Sequence, residues 1–205
     1  MHRFFSWFGL PGKLVLTALI SLLAIALALA APTATRLVCI PAMLLSSLGG
    51  DIILMDYKPI TGRLPVRGFI AGASFFAASH VIYTAAFLCS VRGYFNVGAW
   101  LGILLFAVTS AATAVLCLGK QNGDRGMLPL GILYLFFIAL NFTTVYSCTA
   151  SRGGIFFVSA LGITLFLISD LIIVSDKIIG TKIKNSDLWI WTLYPIGQIL
   201  LLIGA

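Results

Sequence analysis

The chain has 205 residues, 60% of them apolar and only 9% charged, with a formal net charge of +7. A soluble domain is about 45–50% apolar and about 25% charged. Thirteen Lys and Arg, six acids and two His cannot clothe a water-soluble surface of this size. Soluble globular, disordered, collagen-like and coiled-coil classes are excluded, and the chain reads as an all-α, polytopic membrane helix bundle. Its bases stand between apolar runs, which points to orientation in a lipid bilayer and not to nucleic-acid binding.

A helix needs about 20 mostly apolar residues to cross the hydrocarbon, and lipid offers no partner to a strand edge. Seven runs qualify in chain order: Lys13–Ala31, Thr35–Met55, Arg67–Ser90, Val97–Leu118, Met127–Cys148, Gly154–Ser175 and Asp187–Ala205. Together they make a single transmembrane domain over residues 1–205. The first run has a basic start and ends in Ala28-Leu29-Ala30-Ala31-Pro32, like a secretory signal with its cleavage site; its length favours a retained first helix. Arg3, Lys13, Lys58, Arg63, Arg67, Lys120, Arg125, Lys177, Lys182 and Lys184 fall on one side of these spans, and Arg36, Arg92 and Arg152 on the other. The positive-inside rule then expects a cytoplasmic amino terminus and an outside carboxyl terminus. A compact chain without retrieval signals suits a bacterial inner membrane.

Cys39, Cys89, Cys117 and Cys148 are isolated and read as small packing residues. His2 and His80 are the only histidines, and neither shares a helix with a carboxylate cluster, so no metal and no cofactor is expected. No loop is long enough to hold a catalytic domain, which leaves the function to the bundle.

A carboxylate inside a span costs roughly 2.5–3.5 kcal/mol on insertion scales and usually faces a cavity or a partner. Asp56, Asp124, Asp176 and Asp187 lie at loops or helix ends. Asp51 and Asp170 lie inside spans, each about 6–8 Å from the inner end if both helices are ordinary α-helices. Two carboxylates at one depth can share a water pocket, their repulsion keeping a proton on one of them; the alternative is a pair of polar packing residues. On the third span Phe76, His80, Tyr83 and Phe87 are spaced four, three and four and share a face. The seventh carries Tyr194 and Gln198 four apart, with Trp191 above them. Asn141 is the one amide well inside the fifth span and reads first as an interhelical hydrogen bond. Thr109, Ser110 and Thr113 read as packing, and Gly68 with Gly72 as a weak signal of close helix approach. His80 and Gln198 lie deeper, about 20 Å and about 16 Å from the inner ends, which outlines a tall cavity suited to a lipid with head and tail.

Four segments then matter in order: Ser47-Leu48-Gly49-Gly50-Asp51-Ile52-Ile53-Leu54-Met55, Phe76 through Phe87, Phe166-Leu167-Ile168-Ser169-Asp170, and Tyr194-Pro195-Ile196-Gly197-Gln198. Over roughly residues 45–205 the chain resembles the YhhN family of membrane proteins, whose characterised members are lysoplasmalogenases. Against the family pattern, one amino-terminal helix of about eight spans is missing. The family's early Lys-Pro has no clear counterpart, and Pro195 stands where a second tyrosine is usual.

The resemblance implies hydrolysis of the vinyl ether bond of a lysoplasmalogen, a lysophospholipid, by water. The products would be a fatty aldehyde and glycerophosphoethanolamine or glycerophosphocholine. One of Asp51 and Asp170 would be the general acid, and the other would stabilise the oxocarbenium ion and orient water. His80 would relay protons or fix the acid's protonation state, and Tyr83, Asn141, Ser169, Tyr194 and Gln198 would position substrate. Two other classes compete. Buried acids with a histidine also suit a lipid-binding or proton-coupled transport protein. A lysophospholipid esterase is the third reading, although no G-x-S-x-G elbow occurs.

Overall fold

The computed structural model describes residues 9–54, 68–93 and 96–205. Among these, the regular elements are all helical, and seven helices are long and apolar enough to cross a membrane. They are α1 (Leu10–Ala30), α2 (Ala34–Leu54), α3 (Gly68–Leu88), α4 (Val97–Gly119), α5 (Leu128–Arg152), α6 (Phe156–Lys177) and α7 (Ser186–Ile203). The chain is therefore an all-α, multi-pass membrane protein, as its apolar runs require. Of the residues weighed in the sequence, His2, Arg3, Met55, Asp56, Lys58, Arg63 and Arg67 lie outside the described residues.

Helix ends follow local chemistry. Pro32 sits in the break after α1, and Thr33 caps α2 by accepting the Arg36 N–H at 3.1 Å. Asn96 does the same for α4 through the Gly98 N–H at 2.9 Å. The fifth span runs one turn beyond the expected Cys148, because no breaker intervenes before Gly153, which takes a φ of 62°.

The chain forms two compact units, Met1–Cys89 and Ser90–Ala205. In the first, α1 packs on α2 and α2 on α3. Helix α2 corrects the expectation of uniform α-geometry: it is α-helical over Ala34–Leu44, π-helical over Leu45–Asp51, and α-helical again over Ile52–Leu54. Ser46 Oγ donates to the Ala42 carbonyl at 3.2 Å and Ser47 Oγ to the Met43 carbonyl at 2.8 Å. Such back-bonding loosens the α register, and Gly49-Gly50 puts no side chains around the widened turn. A Cβ on Gly50 would lie 2.5 Å from the Phe76 ring, so α3 rests directly on the π segment.

In the second unit, consecutive helices pack in order from α4 to α7. The tightest seam joins α6 and α7, where a Cβ on Gly162 would meet the Leu201 nitrogen at 2.5 Å and one on Gly197 the Gly162 oxygen at 2.8 Å. Cys117, Leu135, Val174, Ile178 and Ile179 form a buried cluster joining α4, α5 and the end of α6. The loops at that end are tied: the Asp124 N–H donates to the Ile178 carbonyl at 2.8 Å, and the Lys120 ammonium to the Thr181 hydroxyl. The four cysteines are free thiols. Cys39, Cys117 and Cys148 are buried packing residues, whereas Cys89 is exposed at the end of α3, outside the packing role expected of it.

Candidate functional site

The first unit presents Asp51, His80 and Tyr83, all buried. Asp51 closes the π segment and is 3% exposed. The Thr17 hydroxyl on α1 donates to Asp51 Oδ2 at 2.9 Å. One turn along, Ser21 and Ser47 share a 2.7 Å hydroxyl–hydroxyl bond, and Ser21 also reaches the Thr17 carbonyl at 2.9 Å. On the α3 side, Ser46 and Ser79 are joined at 2.5 Å. The π segment is thus bolted by hydroxyls to both neighbouring helices. π-turns inside α-helices concentrate at functional sites, and this one carries a carboxyl.

The stripe expected on the third span is present. Phe76, His80, Tyr83 and Phe87 are all buried, and the Tyr83 hydroxyl donates to Met43 Sδ at 3.6 Å. Tyr83 and Phe76, whose ring lies against Gly50, therefore face α2 within this unit.

The second unit presents Asn141 on α5, Ser169 and Asp170 on α6, and Tyr194 and Gln198 on α7, all buried. Asp170 is 4% exposed and accepts a hydrogen bond from the Tyr134 hydroxyl of α5 at 2.9 Å. Beside it, Ser169 Oγ is wholly buried and has no hydrogen-bond partner among the described residues. Tyr194 packs edge-on against Phe166 at 5.2 Å and Trp191 at 6.2 Å, which sets its ring at the α6–α7 seam. Farther along α5, Tyr146 stacks on Phe142 at 4.1 Å and bonds the Thr164 hydroxyl at 2.8 Å, so two tyrosines of α5 clasp α6.

Asp51 and Asp170 are the only buried acids among the described residues, and each takes a hydroxyl donor from a neighbouring helix. Those donors, Thr17 and Tyr134, and the second alcohol, Ser21, escape a reading of the sequence. A lone hydroxyl in an apolar run can satisfy itself on its own helix backbone. The usable signal was a matched spacing: Thr17 and Ser21 are four apart, as are Ser47 and Asp51.

The model of the YhhN family matches residues 12–205, nearly the whole chain. This chain belongs to the YhhN family. The match reaches further toward the amino terminus than the likeness legible from residue 45, and it takes in α1 with Thr17 and Ser21. Both aspartates and both hydroxyl donors of this YhhN protein lie inside the matched region. No curated protein and no solved structure matches the chain.

Proposed function

We propose that this YhhN protein is a lysoplasmalogenase, hydrolysing the vinyl ether bond of a lysophospholipid within the membrane. The observation that supports this most is the pair of buried carboxyls, Asp51 and Asp170, each with a hydroxyl donor, in a chain of this family. Carboxyls are costly in hydrocarbon, and acid catalysis gives a reason to keep two.

In the proposed reaction one aspartic acid protonates the vinyl carbon β to the ether oxygen, leaving an oxocarbenium ion. The other aspartate stabilises that cation and orients water. Water adds to the carbon bonded to oxygen, and the resulting hemiacetal collapses to a fatty aldehyde and the glycerophospho-alcohol. One water is consumed, and the proton returns to the acid. His80 serves the acid's protonation, while Tyr83, Asn141, Ser169, Tyr194 and Gln198 position the lipid. The substrate partner is a lysoplasmalogen carrying ethanolamine or choline. The amino terminus faces the cytoplasm, a reading that rests on the distribution of Lys and Arg, and the compactness of the chain suits a bacterial inner membrane.

Product analysis tests this reading. Purified protein in detergent should release aldehyde from lysoplasmenylethanolamine or lysoplasmenylcholine and nothing from a lysolipid lacking the vinyl ether. Free fatty acid would make it an esterase. Silence on every lipid, from folded protein, would point to lipid binding or transport.

A further inference from the structure

The first helix makes an unexpected contribution at Asp51. Thr17 meets Asp51 at 2.9 Å and Ser21 meets Ser47 at 2.7 Å, so two residues four apart on α1 pair in antiparallel register with two residues four apart on α2. All four side chains are buried, between 0% and 8% exposed. Simple helix glue would not need this arrangement. Each serine has a carbonyl of its own helix within reach, Thr17 for Ser21 and Met43 for Ser47, yet one of the two must give its single proton to the other serine instead.

We propose that Thr17 and Ser21 form a positioning ladder that orients the Asp51 carboxyl, and that α1 is thereby a working part of the site. This deepens the lysoplasmalogenase reading and rests on it. The π segment supplies a carboxyl on a widened turn, where the α-helix no longer fixes its direction. The Ser21–Ser47 rung sets the register of the two helices, and the Thr17 rung then holds one carboxyl oxygen and with it the plane of the group. A hydroxyl can donate and accept, so the Thr17 rung persists whether or not Asp51 carries a proton. A group that gives up and regains a proton at every turnover needs a partner of that kind.

The test uses the full chain in detergent with Thr17→Val, which keeps the shape without the hydroxyl, and Thr17→Ser, which keeps the hydroxyl. Two quantities are read: kcat and KM for aldehyde release, and the infrared carboxyl band identified by its loss in Asp51→Asn. Thr17→Val should lower kcat about 10- to 100-fold with little change in KM, and should shift the Asp51 band. Thr17→Ser should restore most of the rate and return the band. Should Thr17→Val fail to fold, Ser21→Ala removes the other rung; it should lower kcat about 3- to 10-fold and shift the same band. Wild-type kcat and an unmoved band in Thr17→Val, or in Ser21→Ala in its place, would overturn the ladder. Equal impairment of the valine and serine variants would do so too. In each case the enzyme reading would survive if Asp51→Asn were inactive. Absence of aldehyde from the wild-type protein would instead sink the enzyme reading, and the positioning role with it, whatever the infrared band showed.

Discussion

Asp51 and Asp170 are both buried in membrane-spanning helices and both accept a hydroxyl at 2.9 Å, yet the backbone beneath them differs. Asp51 stands on a π segment and is steadied by alcohols: Thr17 directly, with the Ser21–Ser47 and Ser46–Ser79 bonds around it. Asp170 stands on an unbroken α-helix and is steadied by a phenol, with α6 pressed against α7 through Gly162 and Gly197. A regular helix fixes a carboxyl through the rigidity of its neighbours' backbones. An irregular one needs side chains to do the same work. The first unit should accordingly lose function through hydroxyl deletions, and the second through overpacking of its seam.

Gly162→Ala should show the largest effect on stability. The added methyl would meet backbone atoms of α7 at 2.5–3.0 Å, which cannot turn aside as a side chain can. Thermal unfolding in detergent should show destabilisation at or above the upper end of the about 1–3 kcal/mol typical of overpacking. Gly50→Ala in the first unit should cost less, within about 1–3 kcal/mol, because the nearest atoms it meets are those of the Phe76 ring, although burial of that ring limits its escape. If the order of the two were reversed, the contrast between backbone seam and side-chain bolting would be wrong.

Tyr134→Phe removes the phenol donor while keeping the ring. The loss of a hydrogen bond to a carboxyl should slow aldehyde release by about tenfold, read as kcat, with near-normal stability. An unchanged kcat would reduce the Tyr134–Asp170 bond to packing. Ser46→Ala is the mildest change. It removes the bond to Ser79 but leaves the Thr17 and Ser21 rungs, and should lower stability by about 1 kcal/mol. A larger loss of activity than of stability would show that α3 also takes part in orienting Asp51.

The seven spans were legible in the sequence because bilayer thickness sets a length that apolar runs must meet. Phe76, His80, Tyr83 and Phe87 were legible as one face because α3 keeps a regular period, and all four are buried. The π segment was not, since its residues can also be threaded onto an α-helix, where Ser47 and Asp51 would likewise share a face. Tyr134, in the apolar run Gly131-Ile132-Leu133-Tyr134-Leu135, gave no sign that it reaches Asp170 across to α6. Hydroxyls that pair between helices become visible only when the helices are set side by side.

The most direct measurement compares aldehyde release from lysoplasmenylethanolamine by wild-type, Asp51→Asn and Asp170→Asn proteins, each shown to be folded by its thermal transition. The proposed reaction uses both carboxyls, so the wild type should release aldehyde and either single variant should be silent. Full activity in either asparagine variant would contradict the two-carboxyl mechanism.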